Sequence, residues 1–137
     1  MAAVPATLLT AIVTLAAIVL YIIMSIRVGQ MRGKHNVTAP ATTGAPEFER
    51  AYRVQMNTLE QMPIFLPALW LATIYFRRFG MVPPVLGAIW VIGRVLYMSG
   101  YMADPSKRGL GFGVSAISQL LLLILAAVGI VMAWGTT

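Results

Sequence analysis

Apolar positions along the chain gather into four runs separated by polar stretches. A helix needs about 20 apolar residues to cross a bilayer. The first run, about 5–26, contains no charge. It lacks a basic lead and its apolar core is too long for a cleavable signal, so it reads as a span. The polar stretch that follows holds Arg27, Arg32 and Lys34, then Thr42-Thr43-Gly44-Ala45-Pro46, and reads as a loop. Pro46 is placed to open the second helix, about 47–76. Only the later half of that helix, from Met62, is continuously apolar. Arg77-Arg78-Phe79-Gly80 turns the chain into a third helix, about 83–102. Asp104-Pro105-Ser106 has the chemistry of a helix start, Asp as cap and Pro at the first position, before a fourth run at about 110–134. The pattern predicts an all-α fold: an integral membrane, up-down-up-down four-helix bundle, one domain over residues 1–137.

Composition supports the bilayer. The chain is 59% hydrophobic and only 10% charged, where a soluble domain carries about a quarter charged residues. Most of its surface must therefore face an apolar medium. Net charge is +6, and eight of the ten basic residues lie toward one side: Arg27, Arg32, Lys34, Arg50, Arg53, Arg94, Lys107 and Arg108. By the positive-inside rule the first and third loops are cytoplasmic, across a bacterial inner membrane or the endoplasmic reticulum. Nucleic acid is not an expected partner, because no soluble basic face remains once the helices are placed.

Other chemistry is narrowed by what the chain contains. There is no Cys, which excludes disulfides, a Cys nucleophile and thiolate metal ligands. With one His, His35, a His/Cys metal cluster cannot form within one chain, and no metal is expected. His35 itself reads as a solvated loop residue. Asn36-Val37-Thr38 fits a glycosylation sequon but sits in a loop predicted to be cytoplasmic. Gly109, Gly111 and Gly113 follow no strand, so close helix packing is expected of them rather than nucleotide binding. The nine Met read as packing.

Ionisable groups at membrane depth are expensive, which makes the second and third helices the informative ones. With about 100° of rotation per residue, Arg50, Arg53, Asn57, Glu60 and Gln61 fall within one arc of about 100°. Gln55 points away from that face, toward a possible neighbouring chain. In the third helix Arg94, Tyr97 and Tyr101 share a face about 60° wide. Arg108 follows near the cytoplasmic mouth. Arginines in excess call for an anion with planar carboxylates. Glu60 could take an ammonium or an amide N–H, and the phenols can hydrogen-bond or stack. A small zwitterionic peptide of net negative charge would suit the whole set. Internal pairing, Arg53 with Glu60 or Glu49 and Arg94 with Glu60, would satisfy the same groups for structural reasons alone.

Pro46-Glu47-Phe48-Glu49-Arg50-Ala51-Tyr52-Arg53-Val54-Gln55-Met56-Asn57, followed by Glu60 and Pro63, closely resembles the signature of the MAPEG family. These are membrane-associated proteins of eicosanoid and glutathione metabolism. Thr42-Thr43-Gly44 before it, and Arg94-x-x-Tyr97-x-x-Gly100-Tyr101 with Arg108 after it, match as well. The likeness covers nearly the whole chain and is nearest to microsomal glutathione transferases of the second type and cysteinyl-leukotriene synthases. It implies a homotrimer with glutathione, as co-substrate, bound between adjacent subunits. By position, Arg53, Asn57, Glu60, Tyr97 and Tyr101 would hold glutathione. Arg32 and Gln55 would join from the first loop or a neighbouring subunit, and Arg108 would face the sulfur as the catalytic residue. For Arg94 a structural role is equally implied. Gln61 stands where a Tyr is usual, and Gly33 where the leukotriene synthases have a second Arg. The first loosens one glutathione contact, and the second bears on the choice of lipid substrate.

The resemblance implies a membrane-bound transferase joining glutathione to a lipophilic electrophile from the bilayer, with reduction of lipid hydroperoxides as a second activity. A non-catalytic lipid-binding scaffold, like the lipoxygenase-activating protein of that family, is the alternative. Glu60 and Arg108 argue against it. A small multidrug exporter would place an acid in the first helix, which has none.

Overall fold

The computed structural model describes residues 4–136. The domain expected over 1–137 thus includes residues 1–3 and 137, which lie outside the described residues. Four α-helices follow one another: α1 (Ala6–His35), α2 (Pro46–Tyr75), α3 (Val82–Ala103) and α4 (Gly109–Trp134). A 3-10 turn, Pro105–Arg108, leads into α4. Among the described residues there are no strands.

α1 corrects the first expected boundary. It continues past Ile26 to His35, so Arg27, Arg32 and Lys34 ride on its last turns instead of in a loop. Polar residues ended the apolar window, but Gln, Arg, Lys and Met are good helix formers and nothing there breaks the backbone. The break comes at Asn36, whose φ of 53° is left-handed and whose N–H bonds the Arg32 carbonyl. His35 is not a free loop residue. Its Nε2 lies 2.8 Å from Glu47 Oε2, which also accepts from Lys34 Nζ at 2.9 Å. This clasp ties the end of α1 to the start of α2.

Pro46 opens α2 as expected. Pro63 and Pro67 stand inside the helix. Neither has an N–H, so the carbonyls of Leu59 and Pro63 lose their helical partners. By length and composition α1, α3 and the segment Pro105–Trp134 can each cross a membrane. α2 falls short of that description because its first half carries Glu47, Glu49, Arg50, Arg53 and Glu60. Three of the four helices are thus apolar enough to span, and the second is apolar only in its later half, as its sequence indicates.

Residue pairings make sequential neighbours antiparallel. Thr10 pairs with Thr73 at 2.8 Å while Val28 packs with Phe48 at the other end. Phe65 stacks on Trp90 with ring centroids 3.8 Å apart, and Arg50 reaches the carbonyls of Met102 and Ala103. Trp90 Nε1 donates to Gln119 Oε1 at 3.2 Å. The core is Phe65, Leu69, Trp90 and Leu122, with Ala17, Ala68, Ala72 and Ala126 as small residues between them. The side chains of Leu8, Ile12, Leu15, Leu110, Ile117 and Val131 are each more than half exposed. An apolar surface of that kind suits lipid or a neighbouring chain.

Of the three glycines expected to pack helices closely, only Gly111 does so. A Cβ on it would meet the Tyr97 backbone, and one on Gly93 would lie 2.7 Å from Ser115 N. Around Gly109 and Gly113 the space is open. The approach of α3 to α4 is therefore set by Gly93 and Gly111, one on each helix.

Candidate functional site

Arg53, Asn57 and Glu60 recur every three to four residues on α2 and face the later half of α3. There Tyr97 and Tyr101 stand one turn apart. Arg108 enters from the 3-10 turn. These six side chains line one cavity of about 360 Å³. The turn that delivers Arg108 is held by Asp104, whose Oδ1 accepts from the Ser106 N–H at 2.9 Å. That backbone hydrogen bond is the main reason the Asp104 carboxyl sits below its ordinary pKa.

The charges in this cavity have not paired with one another. Among the described residues the ion pairs are Lys34–Glu47 and His35–Glu47. Arg53, Glu60 and Arg108 take part in none. Glu49 accepts from the Gly44 N–H at 3.0 Å instead of meeting Arg53. Internal pairing of Arg53 with Glu60 or Glu49, or of Arg94 with Glu60, is therefore not how these groups are arranged. Arg53, Glu60 and Arg108 are exposed in a single chain.

One wall is a pair of rings flanked by two cations. The Arg108 guanidinium lies 5.9 Å from the Tyr101 ring centroid. Tyr101 and Tyr97 are 5.6 Å apart and tilted by 50°. Arg94 lies 4.1 Å from the Tyr97 ring on the inner side. Such contacts fix ring orientation as well as adding attraction.

The polar arc of α2 divides in space. Arg50 turns to the end of α3, holding the Met102 and Ala103 carbonyls at 3.3 and 3.4 Å. Gln61 turns into the bundle, where its Oε1 accepts from Gln119 Nε2 at 3.0 Å. Both tie helices together. Arg94 does not reach the cavity. It is fully buried behind Asn57 and Tyr97.

Two further expected site residues lie elsewhere. Arg32 Nη1 donates to the Ala41 carbonyl at 2.7 Å, and its guanidinium lies 4.8 Å from the Phe48 ring. It holds the first loop. Gln55 does point away from the cavity, but it meets α1 of its own chain: its Nε2 donates to Ser25 Oγ at 2.8 Å. Thr58 and Ser115, which no sequence feature singles out, both accept hydrogen bonds from Arg94. Hydroxyls in helices are common, and only the cross-helix distance marks these two.

The MAPEG family profile matches residues 10–128. This chain belongs to the MAPEG family. An uncharacterised protein of Synechocystis is 45% identical over 120 residues, 88% of this chain and 86% of its own length. Human microsomal glutathione S-transferase 2 is 43% identical over 106 residues, 77% of this chain and 71% of its own. Guinea-pig leukotriene C4 synthase is 38% identical over 122 residues, 89% of this chain and 80% of its own. Membership, with three helices able to span, makes this MAPEG chain an integral membrane protein. The matched span contains all six cavity residues.

Proposed function

We propose that this protein binds glutathione and joins it, through its thiolate sulfur, to lipophilic electrophiles drawn from the membrane. The observation that carries the reading is the cavity in which Arg53, Asn57, Glu60, Tyr97, Tyr101 and Arg108 converge with their charges unpaired. Two relatives named for glutathione transfer and leukotriene C4 synthesis support it.

Glutathione carries two carboxylates, one ammonium and a thiol. Arg53 suits a carboxylate, Glu60 the ammonium, and Asn57, Tyr97 and Tyr101 the remaining polar atoms. Arg108 stands at the mouth and faces the sulfur. A free thiol has a pKa of about 8.5, and bringing it to about 6.5 takes roughly 2.7 kcal/mol in favour of the thiolate. A guanidinium supplies energy of that order only where water is thinned out. The exposed Arg108 of a single chain needs a cover, and a neighbouring subunit of a homotrimer would provide one.

The thiol proton leaves to solvent. The thiolate then forms a C–S bond at the electrophilic carbon, and the leaving group departs with its electron pair. With a lipid hydroperoxide the same thiolate attacks the terminal oxygen, an alcohol leaves, and a second glutathione yields the disulfide and water. The bilayer supplies the apolar partner and the cytoplasm supplies glutathione, with the first and third loops on the cytoplasmic side.

The test is glutathione titration into the detergent-solubilised protein, with turnover of a chloronitrobenzene in parallel. Arg53→Ala and Glu60→Ala should each weaken binding by about 10- to 150-fold, the loss of one charged hydrogen bond. Unchanged binding in both variants would refute the assignment of the cavity. Binding without turnover of any electrophile or hydroperoxide would favour the lipid-binding scaffold.

A further inference from the structure

Arg94 is the one buried charged side chain among the described residues. It is 0% exposed, and among the described residues no carboxylate pairs with it. Its Nη2 donates to Asn57 Oδ1 and to Thr58 Oγ1, both at 2.9 Å. Nη1 reaches Ser115 Oγ at 3.4 Å, and Nε is buried without a partner. A buried charge with no carboxylate beside it adds little stability over an apolar side chain of similar size. The position therefore calls for a functional account.

The account comes from the hydrogen-bonding inventory. A guanidinium donates and never accepts. Whichever group Asn57 turns toward Arg94 must be the carbonyl. The NH2 of the same amide is then left for the cavity that Asn57 lines. An unrestrained amide could present either face to a ligand. The Tyr97 ring, held against the same guanidinium at 4.1 Å, is the second cavity wall fixed from behind.

We infer that Arg94 is a positioning residue that locks the Asn57 amide with its NH2 toward the cavity, making Asn57 a donor to an acceptor atom of the bound peptide. This rests on the proposed glutathione site and adds a rule to it. At Asn57 the site reads a carbonyl or carboxylate oxygen and rejects an N–H. Arg94 touches no ligand.

A double-mutant cycle on the solubilised protein tests the inference. Arg94→Met should weaken glutathione binding about tenfold in the parent, but by no more than about twofold when Asn57 is already Ala. Equal losses in both backgrounds would overturn the inference, because a general structural defect does not depend on Asn57. Should Arg94→Met fail to fold, Arg94→Lys, which keeps the charge without the planar fork, takes its place in the cycle. A second measurement needs no ligand. The chain has two asparagines, Asn36 and Asn57, so isotope-labelled asparagine gives two side-chain amide signals by NMR. Replacing Arg94 should move the Asn57 signal and leave that of Asn36 in place. If neither moves, Arg94 does not hold the amide, whether or not glutathione binds. A parent that binds no glutathione yet shows the Asn57 shift would sink the proposed ligand and keep the lock.

Discussion

In the proposed reaction, Arg108 is the residue on which chemistry and binding separate. It meets Tyr101 through its guanidinium, makes no ion pair among the described residues, and lines the cavity. Arg108→Ala should spare much of the glutathione affinity, since Arg53 and Glu60 remain. It should raise the pKa of the bound thiol toward its free value. The conjugation rate at neutral pH should then fall about tenfold for each pKa unit lost. Ultraviolet absorbance of the thiolate, followed through a pH titration of the complex, reports the change. The deficit should shrink at high pH, where hydroxide makes the thiolate without help. A variant with a normal thiol pKa and rate would mean that another group activates the sulfur. At this scale much was legible in the sequence: the helical spacing of Arg53, Asn57 and Glu60, and of Tyr97 and Tyr101, put them on facing surfaces. What was not legible is who stands behind them. Thr58 and Ser115 acquire meaning only through Arg94, a relation across three helices that no spacing within one helix can express.

Among the elements, the meeting of α3 and α4 is the most demanding. Gly93 and Gly111 let the backbones approach so closely that a side chain on either would strike the other helix. Gly111→Val should cost about 1–3 kcal/mol through overpacking. It should also disturb Tyr97, whose backbone lies against that glycine. Gly113→Val, in open space, should be nearly neutral. Thermal melts of the two variants check this, and equal melting temperatures would contradict it. Hydropathy marked all three glycines alike because it carries no phase. Only the packed bundle shows which of them faces α3. The same limit explains α1. A hydropathy window measures contact with lipid, whereas a helix ends where backbone geometry ends it, here at Asn36.

At the scale of the whole molecule, a single chain leaves both apolar surface and its polar cavity open. Large apolar side chains are exposed along its helices, and Arg53, Glu60 and Arg108 open outward at the cavity. A homotrimer would cover both. The polar case for it now rests on the cavity alone, because Gln55 is satisfied by Ser25 within the chain. Mass measurement of the solubilised protein should give three chains, and dissociation should abolish turnover together with thiolate formation. A stable monomer with full activity would rule out a site shared between subunits. Fold class and helix order could be read from four apolar runs; the assembly could not, since lipid and a neighbouring subunit ask for the same apolar surface.

The two prolines of α2 have a mechanical consequence. Pro63 and Pro67 remove two rungs of the helical ladder, one turn apart, just after Glu60, where the polar half of α2 meets the apolar half. Beyond them Phe65, Ala68, Leu69 and Ala72 are locked in the core. Before them Arg53, Asn57 and Glu60 look into the cavity. A rod missing two braces within one turn bends there first. The first half of α2 is itself packed through Phe48, Ala51 and Val54, so a swing of that half would have to pivot at this joint and would change the width of the cavity.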